Sequence, residues 1–193
     1  MIIRPEVDSR VDGENMADIA GFFQADPPLD RTADKEIWTR WLELGALMPT
    51  MRDIYGAMDD PVGVWTDDET LSLYRTYAEL HTALRPYLYR YAGIAHARGL
   101  PIVRPLFLNY PEDTGAYLLA DQYLLGDDLL VAPILEPGQR ERSVYLPDGR
   151  WHSYWTGEDH TGPGRITIPA PLHQIPFFIR AGGDLNLPSI ERP

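Results

Sequence analysis

Residues 34–52 read DKEIWTRWLELGALMPTMR, and the way this stretch divides decides the fold. Ile37, Trp41, Leu44 and Leu47 recur at the spacing of one helix face, which predicts an amphipathic helix over Asp34–Leu47. MPTMR, Met48 to Arg52, then predicts a short buried strand, and DIYGAMDDPVGVW follows as a loop containing glycine and proline. A helix feeding a strand, with a further helical pattern beyond the loop, is the order of an α/β unit, whose helices cover a parallel sheet.

Working outward toward the C-terminus, Thr66 and Glu69 have capping-box spacing and predict the start of a long helix. The acidic DDET of Asp67–Thr70 suits a helix N-terminus, where the macrodipole favours negative charge. Leu71, Tyr74, Tyr77, Ala78, His81 and Leu84 form the expected stripe up to Pro86, where the missing N–H predicts a kink or a restart. A second helical piece runs to Arg98, with Gly99 as its stop. Beyond Gly99 the pattern changes. IVRPLFLNY, DLLVAPIL, RSVYLP, RWHSYW, RITIPA and IPFFIR are short runs rich in β-branched and aromatic residues, punctuated by Gly, Pro and Asp. These predict an antiparallel β-sandwich, with TGAYLLADQYLLG between the first two as a helical turn. The organisation expected is therefore a loose lead-in over 1–15, an α/β part over 16–99 and an all-β part over 100–193.

Composition excludes several classes of function. The 193 residues carry 29 acidic and 17 basic side chains, a formal charge of −12, which opposes binding to a phosphate backbone. Nucleic acid is not an expected partner. No stretch approaches the roughly 18 apolar residues of a membrane span, and charges interrupt the N-terminal region where a signal peptide needs an apolar core. A soluble, cytoplasmic protein is expected. The absence of cysteine removes disulfides, thiolate metal sites and a cysteine nucleophile. His81, His96, His152, His160 and His173 show no metal-ligand spacing and read as packed or solvated, so neither a metal nor a cofactor is expected.

Toward the N-terminus, MADIAGFFQADPP, Met16 to Pro28, sets a carboxylate beside two phenylalanines. A complete (β/α)8 barrel needs about 250 residues, far more than precede Gly99, so any barrel sequence here is only the last part of one. ADIAGFF resembles the DIGGF signature of glycoside hydrolase family 31, the α-glucosidase and α-xylosidase family. KEIWTRWLELGALMPTMR, LRPYLYRYAGIAHARGLPIVRPLFLNYPED, DQYLLGDDLLVAPIL and VYLPDGRWHSYWTGE resemble further family stretches in the family's order, from Ala17 to Gly183. The resemblance implies the last repeats of a TIM barrel followed by a β-sandwich. It also implies that Asp18 ends the seventh strand, that Arg52 ends the eighth, and that Asp18 and Phe22 line a sugar subsite that Arg52 helps to order. An aromatic face suits the C–H side of a pyranose, and a carboxylate accepts its hydroxyls.

Beside that reading stands a plainer one in which Asp18 is a hydrogen-bonded strand-end carboxylate, Phe22 and Phe23 are core, and Arg52 pairs with Asp53 or Asp18. Trp38, Trp41, Trp151 and Trp155 are expected in cores or across the interface of barrel and sandwich, whereas Trp65 lies in a loop from which a tryptophan can stack on sugar. Family members carry a histidine two residues after the arginine. Here Ile54 stands in its place and cannot make that hydrogen bond. Three readings stay open: a different substrate, substitution by Asp53 or Tyr55, or a site that no longer works. Retaining glycosidases need two carboxyl groups about 5–5.5 Å apart, and the family's two aspartate motifs do not occur in this chain; Asp8, Asp12 and Glu14 lack their flanking pattern. No catalytic residue is therefore assigned. The expected function is the C-terminal part of a retaining α-glycosidase, inactive alone and partnered by an α-glycoside and by the missing barrel polypeptide or a second copy. The alternative is a non-catalytic β-sandwich module that binds carbohydrate or protein.

Overall fold

The computed structural model describes residues 16–19, 35–53, 62–183, 185 and 187. Strand β1 (Met16–Ile19) and strand β2 (Thr50–Asp53) form a parallel pair, with helix α1 (Lys35–Ala46) between them in sequence. Helix α2 (Asp68–Arg98) follows. This is the β-α-β-α order of barrel sequence. The expected lead-in over 1–15 lies outside the described residues.

α1 is buried nearly all round rather than on one face: Trp38, Leu42, Leu44 and Ala46 are buried, as are the polar Thr39, Arg40 and Glu43. A helix held between two layers loses the one-sided pattern that its sequence suggested. β2, expected to be buried, is half-buried along Thr50–Arg52.

α2 corrects two expectations. Its cap is Asp67, whose side chain accepts from the Thr70 backbone N–H while Thr70 Oγ1 accepts from the Asp67 N–H, so the capping box sits one residue later than Thr66 and Glu69. Thr66 Oγ1 instead accepts from the Gly63 N–H, and Glu69 bonds Lys35. The helix also runs unbroken through Pro86. Its core face is Leu73, Tyr77, Leu80, Leu84, Tyr87, Leu88 and Tyr91, rotated from the predicted stripe so that Leu71 is exposed. Gly99 closes it at φ 68, the left-handed conformation that glycine adopts without Cβ strain.

The remaining chain forms strand β3 (Val103–Arg104), a one-turn helix α3 (Leu106–Asn109), a 3-10 turn (Thr114–Leu118), and strands β4 (Tyr123–Leu125), β5 (Leu129–Val131), β6 (Glu141–Ser153), β7 (Asp159–Pro169) and β8 (Phe177–Arg180). Among the described residues these strands make one antiparallel sheet in the order β3-β4-β5-β8-β6-β7. β4 was hidden inside the segment read as a helical turn. The two runs RSVYLP and RWHSYW are one strand, with a register shift between Leu146 and Gly149.

The central strands are buried on both faces. Tyr123, Leu125, Leu129, Val131 and Phe177 join the core built on α1 and α2, while Leu124, Leu130 and Phe178 join an inner core with Val144, Leu146, Trp151 and Ile168. The sheet curls so that β6 returns over the start of β4. There the Gln122 amide bridges both backbone groups of Tyr145 at 2.6 and 3.0 Å, and two layers close around the inner core. Strands covered on both sides read as continuous apolar runs, which is why QYLLG and DLLVA show no alternation.

Candidate functional site

The barrel part places its strand ends together. In the β1–β2 ladder Asp18 is the Cα partner of Arg52, and each is the third residue of a four-residue strand, next to the C-terminal end. In (β/α)8 barrels this end of the sheet carries the chemistry. Arg52 is half-buried and engaged rather than free. Two of the three predicted site residues are thus neighbours in the backbone ladder; Phe22 lies outside the described residues, as do Phe23 and Ile54. Trp65, 58% exposed, stands two residues before the α2 cap, on the loop that leaves β2.

A polar junction ties α1 to the sheet domain. Arg40 donates to Glu43 at 2.9 Å and to the backbone carbonyls of Gln139, Ala170 and Pro171 at 3.2–3.3 Å. Both side chains are buried. Burial pushes the Glu43 carboxyl from 4.5 up to about 7, and the charge and hydrogen bond of Arg40 offset only part of that rise. Tyr77 Oη donates to the His173 carbonyl at 2.8 Å, and His173, at a φ of 83, sets its ring 3.3 Å from Glu69. Burial lowers the His173 pKa, against the charge of Glu69. The sequence marked none of this junction beyond an Arg and a Glu three residues apart in an apolar run.

A second feature, also unmarked, is a cleft of about 560 Å³ between the later turns of α2 and the sheet domain, lined among others by Arg90, Asn109, Tyr110, Asp127 and Arg180. Its residues come from separate stretches that no local motif joins. Asp127 bonds Arg104, Asn109 and Tyr91; burial acts to raise its pKa, but these partners hold it below the usual carboxylate range. Of the five histidines, His81 meets the Ala46 carbonyl, His152 meets Asp159 and His160 lies near Glu158. Trp38, Trp151 and Trp155 are core residues, as expected, and Trp41 packs against the helix-side core.

With this geometry in view, two family models match consecutive parts of the chain: the TIM-barrel domain of glycosyl hydrolases family 31 over residues 15–91, and the family 31 C-terminal domain over residues 99–183. The chain belongs to glycosyl hydrolase family 31. Among its curated relatives is the sulfoquinovosidase of Escherichia coli K12, 37% identical over 175 residues that cover 89% of this chain and 25% of the relative. Alpha-glucosidase 2 of Bacillus thermoamyloliquefaciens is 35% identical over 158 residues, covering 81% of this chain and 20% of that protein. Of solved structures, a family 31 sulfoquinovosidase from E. rectale in complex with an aza-sugar inhibitor superposes with a TM-score of 0.77 at 35% identity, covering 81% of this chain and 23% of that one. A Flavobacterium johnsoniae family 31 dextranase mutant complexed with isomaltotriose gives 0.73 at 38% identity, covering 81% and 20%. The chain thus spans a quarter or less of the length of these relatives. Its fold is a portion of the family 31 barrel followed by the family's C-terminal domain.

Proposed function

We propose that this family 31 segment forms one wall of the sugar pocket of a retaining α-glycosidase, with Asp18, Phe22 and Arg52 facing the bound sugar and the reacting carboxylates supplied by barrel polypeptide upstream of β1. The observation that carries the reading is the pairing of Asp18 with Arg52 beside the C-terminal ends of adjacent parallel strands. A carboxylate and a guanidinium side by side offer an acceptor and a fork of donors to vicinal hydroxyls. Trp65, 58% exposed and two residues before the α2 cap, is the aromatic side chain that this reading assigns to the same pocket. The named activities of the relatives, on sulfoquinovosides, α-glucosides and dextran, support a glycoside as the substrate.

The test is kinetic. In a polypeptide that carries this segment behind the other barrel repeats, Asp18→Ala lowers kcat/KM on a nitrophenyl α-glycoside by about tenfold to a hundredfold, the value of a lost hydrogen bond to a charged group. The 193-residue chain alone turns over none of a nitrophenyl α-glycoside panel. Turnover by that chain alone, or an Asp18→Ala enzyme with unchanged kcat/KM, overturns the proposal.

A further inference from the structure

The cleft beyond the middle of α2 lies about 33 Å along the helix from its first residue, taking about 1.5 Å per residue from Asp68 to Arg90. Its volume, about 560 Å³, falls within the roughly 300–1,000 Å³ of small-molecule sites. Two guanidinium groups, Arg90 and Arg180, and two carboxylates, Asp127 and Asp128, line it, so its fixed charges cancel. A neutral lining in a chain of charge −12 neither attracts an anion nor concentrates cations.

The hydrogen-bond capacity of the lining is only partly used. The Arg180 guanidinium has no hydrogen-bond or ion-pair partner among the described residues; it stands 5.9 Å from the Tyr110 ring centroid, while the Arg180 backbone N–H is fixed to the Asp128 carbonyl at 2.7 Å. The Tyr110 hydroxyl is buried without a partner. Asn109 donates one amide N–H to Asp127 at 2.8 Å, which leaves its second N–H. Asp127 accepts from Asn109 and Arg104 on one oxygen, Oδ1, and also hydrogen-bonds Tyr91; its side chain is 46% exposed, and a carboxylate has room for about four such bonds. The cleft therefore sets unspent donors and a partly used, exposed acceptor around a neutral space. Gly183 lets the chain approach its edge, because a Cβ there would meet the Asp128 side chain at 2.6–2.9 Å.

A ligand that matches such a lining is uncharged and carries several groups that both donate and accept. We infer that this cleft binds a neutral saccharide unit, its vicinal hydroxyls shared between the Arg180 guanidinium, the Asn109 amide and the Asp127 carboxylate. The inference does not depend on Asp18, Phe22 or Arg52, and it gives the C-terminal domain a carbohydrate contact of its own.

The test is a titration of the 15N-labelled 193-residue chain, held in complex with the unlabelled remaining barrel repeats, with maltose, with methyl α-D-glucopyranoside and, separately, with inorganic phosphate. Saturable amide shifts at Asn109, Asp127 and Gly183 with the sugars, and none with phosphate, are expected. Arg180→Ala weakens that binding by about tenfold or more, the cost of removing a charged donor. Ile94→Trp, which fills the cleft from the helix side, does the same without touching a polar group. Shifts at residues 16–19 and 50–53 report the barrel rim separately, so failure at one place is distinguished from failure at the other. Absence of saturable sugar shifts at the cleft, shifts produced there by phosphate, or sugar binding unchanged in both variants overturns the inference.

Discussion

Glu43 is the residue whose protonation the fold controls most directly. Its carboxyl is 1% exposed, faces Arg40 on the same helix and lies within the fields of Arg140 and Tyr77, with a backbone hydrogen bond from His173. Because burial raises its pKa from 4.5 to about 7, the native protein holds a proton between those values that the unfolded chain has released. Stability from this group is complete below the lower value and declines as pH rises to the upper one, after which it is flat. Glu43→Gln keeps an acceptor for Arg40 and removes the titration. The urea midpoint of the wild type is expected to fall from pH 5 to pH 7, and the variant's midpoint to lose most of that slope; equal slopes would count against this assignment. Nothing in the sequence announced the pair, since an Arg and a Glu three positions apart usually mark a solvated helix face. Burial by a layer distant in sequence reverses that reading. The strand-end placement of Asp18 and Arg52 was legible because a motif marked both residues, whereas Arg180, at the end of a strand run, carries no such mark.

At the scale of elements, α2 shows how exposure decides what a proline does. Pro86 removes one hydrogen bond from the helix, and a break was the natural expectation. Pro86 and Thr82, the residue whose carbonyl loses its donor, both lie on the exposed side, where water can take the place of the missing N–H. On the opposite side Leu80, Leu84, Tyr87, Leu88 and Tyr91 pack into one core and hold the two halves as a single helix. Pro86→Ala should therefore stabilise the protein by up to about 3 kcal/mol, the penalty of an interior proline relative to alanine. Chemical denaturation checks this, and a destabilised variant would show that the ring shapes the helix in a way that its neighbours need. The strands follow a related logic. Their existence was readable from β-branched and aromatic runs. Their joins were not, because Pro147 and Asp148 read as turn punctuation and instead mark the irregularity in β6. β4 escaped because an apolar run buried on both faces has no period to distinguish it from helix.

For the whole molecule, the decisive fact is that the helices and the sheet share one core while, among the described residues, β1 and β2 have no other strand to pair with. Tyr87 donates to the Leu125 carbonyl at 2.7 Å and Tyr123 to the Leu47 carbonyl at 3.1 Å, and Phe177 and Trp155 pack in the same cluster as α1 and α2. The two parts are thus joined by buried contacts as well as by sequence. A parallel pair of strands, in contrast, belongs inside a sheet covered by helices, and among the described residues the outer edges of β1 and β2 are unpaired. Unpaired edges recruit further strands, from another copy if none is supplied in the same chain. Produced alone, the 193-residue polypeptide is expected to self-associate, and co-production with the six remaining repeats of an eight-repeat barrel should convert it to a defined complex by pairing those edges. Light scattering coupled to size exclusion distinguishes the outcomes. Association that disappears on complementation supports a barrel segment, whereas a monomer that melts in one cooperative step without any partner would show that the strand pair is self-sufficient and favour an independent binding module.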